Sequence, residues 1–189
     1  MIVRPSVRGP RLHLRVARPD DAPYLHALRT DPALARHLSP TEGGVGAQAA
    51  WLRAYVERER RGEEAYYVVE HDARPIGCVR LTELDRDRFT WGSWILDPAA
   101  KPPRAALETA LLVYRLGFGV ARKREAVFDV RRANAPVLAF HDRFGAQRTA
   151  ENGLNVYYRL CSIAWRERAS DHWDAVERVA AAATPEPAL

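Results

Sequence analysis

Two short segments of this 189-residue chain combine residue types and spacing that can do chemistry. The first is Lys101-Pro102-Pro103-Arg104-Ala105-Ala106, at the start of a long helical pattern. A helix N-terminus presents unpaired backbone N–H groups and the positive end of the helix dipole, which makes it a ready anion site. Lys101 and Arg104 add cations there, Ala105 and Ala106 let a ligand approach the backbone, and the prolines fix the entry without losing a helical hydrogen bond. The second segment runs from Asn134 through His141 to Gly145. A histidine ordinarily titrates at about 6.5, which suits proton transfer near neutrality. Trp91 and Trp94 flank Gly92 and Ser93 and are rings able to stack on a sugar or a base. Each feature also has a plain structural reading: helix capping, a polar helix face, sheet packing. The chain carries no Ser-His-Asp order, no zinc spacing and no P-loop, and Gly43, Gly44 and Gly46 are too loosely placed for a dinucleotide fingerprint.

Hydrophobic periodicity supplies the elements that must position these groups. Residues 11–16 alternate through Leu12, Leu14 and Val16, as a half-buried strand does. Asp20 and Asp21 before Ala22 and Pro23 start a helix with Leu25 and Leu28 on its apolar stripe, and Asp31-Pro32 starts another. Residues 39–46 form a loop, and residues 47–61 a helix with Leu52 and Val56 one turn apart, ended by Gly62. Residues 64–71, 76–84 and 89–96 read as an antiparallel meander. A long helix over 104–120 puts Leu107, Leu111, Tyr114 and Phe118 on one face. A strand at 126–130, a helix at 135–144 capped by Gly145, a strand at 154–160 and a helix at 165–182 follow. The strand-helix-strand around Leu107 requires a crossover, and therefore parallel neighbours. The expected fold is one α/β domain over 1–189, core about 11–160, with a mixed, mostly antiparallel twisted sheet flanked by helices and a frayed tail over 180–189.

Hydrophobic residues make up 47% and charged residues 28%, the balance of an ordinary globular protein. The net charge of +5 favours anionic partners. The basic residues fall in short groups, such as Arg58, Arg60 and Arg61, beside acids or inside helical patterns, and no RNA or DNA motif accompanies them; nucleic acid is therefore not expected. Cys78 and Cys161 allow one disulfide at most and no metal spacing, and read as reduced thiols in a cytoplasmic protein. Residues 1–10 carry Arg4 and Arg8 with no apolar run behind them, so no signal peptide is expected, and no stretch is apolar enough for a membrane span.

Over residues 11–160 the sequence resembles the GNAT acetyltransferase superfamily. In that family a loop of the form Arg/Gln-x-x-Gly-x-Gly/Ala follows the fourth strand and binds the CoA pyrophosphate. Counted back from Phe118, it falls on Lys101 to Ala106: Lys101 keeps the charge, Ala106 fits the last position, and Arg104 stands where glycine is usual. Glycine there permits φ values costly for other residues; Arg104 offers a second phosphate contact instead. The resemblance places Asn134 on the pantetheine, and His141 where the family usually has a tyrosine that protonates the departing CoA thiolate. It gives Ile95 and Leu96 a backbone pairing with the pantetheine amides, puts the acyl-CoA in the opening between the splayed parallel fourth and fifth strands, and puts a β-bulge near Gly92 that opens the acceptor cleft. The amine must be neutral to attack the thioester, so a base is needed; Glu83 has the best placement, with Asp85, Asp87 and Asp129 as alternatives. Ser93 would orient water or acceptor, and Trp91 and Trp94 would bind the acceptor. The implied activity is acetyl-CoA-dependent, metal-free N-acetyl transfer to a small-molecule amine, most like enzymes acting on nucleotide-linked amino sugars, by direct transfer in a ternary complex. The alternatives are ribosomal-protein N-terminal acetylation, antibiotic modification and a non-catalytic CoA- or ligand-binding module. A homodimer is compatible with this reading.

Overall fold

The structure, a computed structural model, describes residues 6–183. The first five residues and residues 184–189, which hold most of the tail expected to fray, lie outside the described residues. Eight strands form one sheet: β1 (Val7–Arg8), β2 (Leu12–Val16), β3 (Ala65–His71), β4 (Arg74–Thr82), β5 (Arg88–Leu96), β6 (Glu125–Arg131), β7 (Gln147–Glu151) and β8 (Asn155–Cys161), in the spatial order β1-β2-β3-β4-β5-β6-β8-β7. The helices are α1 (Ala22–Thr30), α2 (Pro32–Ala35), α3 (Val45–Arg60), α4 (Ala105–Tyr114), α5 (Ala135–Phe144) and α6 (Ser162–Ala183). All neighbouring strands are antiparallel except β5 and β6, the pair joined by the α4 crossover. The expected α/β domain with parallel fourth and fifth strands is thus what the chain forms, those strands being β5 and β6.

Both faces of the sheet are covered, and β3 shows how. Ala65, Tyr67 and Val69 point to one apolar cluster, with Leu111, Leu112 and Phe89. Tyr66 and Val68 point to a second, with Leu25, Leu52 and Tyr55 from α1 and α3. This is the period-two alternation of a strand, here apolar on both sides. The start of α4 is held in place by Glu108, whose buried carboxylate accepts the backbone N–H groups of Arg11 and Leu12 at 2.9 and 2.8 Å. Gly9 leaves the room for it, since a Cβ there would collide with that carboxylate.

Four local outcomes differ from the sequence reading. Asp21 does not cap α1; its carboxylate binds the Arg15 guanidinium at 2.9 and 3.0 Å and the Arg18 N–H at 2.7 Å. The helix expected to run to residue 120 turns into a π-helical segment, Arg115–Val120, after Tyr114. There the Phe89 ring presses on Gly117, where a Cβ would collide with it. Two strands are new: β1 is only two residues long, and every residue of β7 is exposed. Asp31, by contrast, caps α2 as expected, accepting from the N–H groups of Ala33 and Leu34.

Candidate active site

The site begins with a fault in the sheet. On β4 and β5, Cys78 faces Ile95 and Arg80 faces Gly92, so two residues of β5, Ser93 and Trp94, stand opposite Val79 alone. An extra residue bends and twists its strand. The expected bulge is therefore present, but Ser93, not Gly92, takes the left-handed backbone, at φ 47°. Beyond the bulge β5 leaves β6: the two pair only at Arg88 with Glu125 and Phe89 with Ala126, at their first residues. The sheet opens into a wedge whose walls are the far halves of β5 and β6. Ile95 and Leu96 stay paired to β4 on their other side, so the edge of β5 facing the wedge lacks a ladder partner.

A cavity of about 350 Å3 opens beside the bulge. Its wall contains Ser93, Trp94, Asp129, Asn134 and His141. Asn134 sits at the N-terminus of α5, where its backbone oxygen accepts from Val137 and Leu138, and its side chain makes no cap hydrogen bond. Two turns later, α5 delivers His141, which is 2% exposed rather than on an exposed helix face. The rings of Phe128, Phe140, Trp91, Tyr158 and Trp94 surround it, with centroids 4.5 to 6.3 Å away. Burial pushes its pKa down to about 3, against a small opposing effect of Asp142. The imidazole is therefore neutral at physiological pH, and its Nδ1 has no partner. Asp142 does not turn towards the ring; it binds Arg148 at 2.6 Å and accepts the Tyr158 hydroxyl at 3.0 Å. Gly145 ends the helix in the left-handed conformation, as expected of its cap.

The two tryptophans part company. Trp91 is buried and packs on Tyr114 and Phe128 as well as Trp94. It is 4% exposed where it lines the cavity and forms a wall of the His141 cage. Trp94 is half-buried against Phe140. Glu83 lies at the β4–β5 turn, outside the cavity wall, within 3.4 Å of Arg88 and 3.7 Å of Arg86. Asp129, exposed on β6, is the carboxylate that lines the cavity.

The segment expected to hold pyrophosphate is a turn that enters α4. Asp97 shapes it: its backbone oxygen accepts from Lys101 at 2.9 Å and its carboxylate from Ala99 at 2.8 Å. Lys101 and Arg104 are exposed, and Ala105 is buried. Arg104, at the N-cap of α4, adopts φ 67°, the left-handed conformation that the usual glycine takes without strain. The Ala105 N–H donates to the Pro102 carbonyl at 3.1 Å, whereas the Ala106 and Leu107 amides of the first turn have no intrahelical acceptor by position.

A family model of the acetyltransferase (GNAT) domain matches residues 11–147. The chain belongs to the GNAT acetyltransferase family. Solved GNAT structures share the architecture. FdhC, a nucleotide-linked sugar GNAT, is 34% identical, with 89% of this chain and 97% of that one covered and a TM-score of 0.82. RimJ from Mycobacterium smegmatis, in complex with CoA-disulfide, is 16% identical over 88% and 90% of the chains, TM-score 0.74. Spermidine N-acetyltransferase from Vibrio cholerae, in complex with CoA and spermine, is 16% identical over 82% and 98%, TM-score 0.70. A search of curated proteins finds no match. This GNAT chain has no described helix long and apolar enough to cross a membrane.

The remaining cavity residues escaped the sequence reading. Arg29, His37, Arg80 and Arg131 come from α1, the loop after α2, β4 and β6. Only the folded sheet brings them together. The arginines give the cavity a cationic lining in which Asp129 is the one carboxylate among the described residues, while burial lowers the pKa of His37 and favours its neutral ring.

Proposed function

We propose that this GNAT protein transfers an acyl group, acetyl in the simplest case, from acyl-CoA to the primary amine of an anionic small molecule, a nucleotide-linked amino sugar being the acceptor class. The observation that carries the reading is the sign of charge around the cavity: Arg29 and Arg131, with Arg80 held by Glu64, against Asp129. Such a lining attracts phosphorylated acceptors and repels polyamines. The 34% identity to a nucleotide-linked sugar GNAT supports the same class.

The residues present suit a CoA thioester. Lys101, Arg104 and the first-turn amides of α4 would hold the pyrophosphate. The unladdered edge of β5 at Ile95 and Leu96 and the side chain of Asn134 would hold the pantetheine amides. With the acceptor amine beside Ser93, Asp129 takes its proton, directly or through a water. The nitrogen attacks the thioester carbonyl, whose oxygen is polarised by a backbone N–H of β5 near Leu96. As the carbon–sulfur bond breaks, the nitrogen loses its second proton to solvent and becomes the amide, while His141 donates its neutral N–H as a hydrogen bond to the thiolate, which takes up a proton from that same solvent. The neutral form of His141 makes it a hydrogen-bond donor rather than an imidazolium acid.

A thiol-release assay with acetyl-CoA over an amine panel tests the reading. Release is expected with nucleotide-linked amino sugars and not with spermidine. Release with spermidine alone would overturn the acceptor class. No release with any amine, in a protein whose melting temperature CoA raises, would leave a CoA-binding module without catalysis.

A further inference from the structure

The cavity beside Ser93 adjoins a second, of about 370 Å3, and the two share Arg29, Arg80 and Ser93 in their walls. Each alone is at the lower end of the roughly 300–1,000 Å3 that small-molecule sites span. An acceptor with its amine at Ser93 that filled both would pass between the two arginines.

Those arginines differ. Arg80 is neutralised by the buried carboxylate of Glu64, which Arg58 also binds. Arg29 spends its hydrogen bonds on neutral groups, the Thr41 hydroxyl at 2.9 Å and the Ser39 carbonyl at 3.4 Å, and has no carboxylate partner among the described residues. A half-buried guanidinium at a cavity junction, with its charge uncompensated, is suited to a phosphate.

Beyond the arginines the wall is formed by the first turn of α3 and by Trp51. Gln48 is 7% exposed, faces this cavity, and its carboxamide has no hydrogen-bond partner among the described residues. It offers one acceptor and two donors side by side, which match the alternating C=O and N–H edge of a pyrimidine base. Glu42, at the outer wall, is the only carboxylate among the described residues lining this cavity.

We infer that the second cavity is the subsite for a nucleoside diphosphate, with Arg29 on the phosphates at the junction and Gln48 on the edge of the base. This rests on the proposed reading in so far as the acceptor amine occupies the first cavity. Nucleotide recognition then lies on α1 and α3, apart from the β5–β6 wedge that takes CoA.

Calorimetric titration of the full chain with uridine diphosphate and thymidine diphosphate, under saturating CoA, tests the assignment. Saturating CoA keeps the probes out of the cofactor site. At least one probe should bind, Arg29→Gln should raise its Kd tenfold or more, and Arg29→Lys should recover part of the loss. Gln48→Leu should weaken whichever nucleotide binds and leave inorganic pyrophosphate unchanged. CoA affinity and the melting temperature should be the same in all variants, which excludes a folding defect. No nucleotide binding, or equal Kd in wild type and folded Arg29→Gln, overturns the subsite even where thiol release with simple amines continues. Nucleotide binding with these dependences but no thiol release would instead overturn the catalytic reading and keep the subsite.

Discussion

The carbonyl of Ser93 accepts the buried thiol of Cys78 at 3.3 Å across the β4–β5 bulge. Ser93 is thereby held at φ 47°, where a side chain costs roughly 1–2 kcal/mol and glycine almost nothing. Ser93→Gly should keep the fold and raise or leave unchanged the midpoint of urea unfolding. Ser93→Val, with its branched Cβ in the left-handed region, should lower stability by about 2 kcal/mol or more. Equal stability of the two variants would show that the bulge is not where the strain sits.

The aromatic cage around His141 predicts a rate effect without a binding effect. His141→Phe fills the cage with another ring but removes the N–H. Turnover should fall roughly 100-fold, the scale of losing one preorganised donor to developing charge, while the Kd for acetyl-CoA changes little. Because His141 is neutral across the working range, the variant should keep the shape of the wild-type pH–rate profile at lower height. A limb near neutrality that vanishes in the variant would restore the imidazolium as the acid.

The same histidine makes stability pH-dependent. Its pKa is about 3 when folded and about 6.5 when unfolded, so folding favours the neutral form. The contribution is complete above about pH 6.5 and is lost as the pH falls from there towards 3. It amounts to the order of a few kcal/mol. Between pH 6.5 and 4 the melting temperature of the wild type should therefore drop more steeply than that of His141→Phe. Parallel slopes would mean that the buried ring is protonated without penalty.

Arg104 separates charge from backbone. Arg104→Gly relieves φ 67° but removes a cation, whereas Arg104→Ala removes the cation and keeps the strain. Both should weaken acetyl-CoA several-fold, as should Lys101→Ala, and the glycine variant should melt no lower than the alanine one. Unchanged affinity in all three would reduce the turn to helix capping.

The strands and helices with a clean period were legible in the sequence. Leu12, Leu14 and Val16 alternate and form β2; Asp31 before Pro32 caps α2. β7 was not legible because Gln147–Glu151 is exposed on both faces, which leaves no alternation to read. The π-helical segment was hidden because Tyr114 and Phe118 keep helical spacing through it. In the site, Asn134 and His141 share one helix and their register could be counted. Arg29, Gln48 and Arg80 lie on three elements, and each is a single polar residue that a solvated face would also explain. The bulge was anticipated at Gly92 because glycine tolerates any φ, yet the pairing register moved the strain one residue on, to Ser93.

The parallel pairing of β5 and β6 at only two residues has an evolutionary consequence. The mouth of the wedge is lined by side chains and by one free strand edge, with no ladder hydrogen bond crossing it. Substitutions there, at Val137 for instance, can reshape the cavity without disturbing the pairing that holds the sheet together. A lineage can therefore change what the cavity accepts by ordinary point mutation while the scaffold stays as it is.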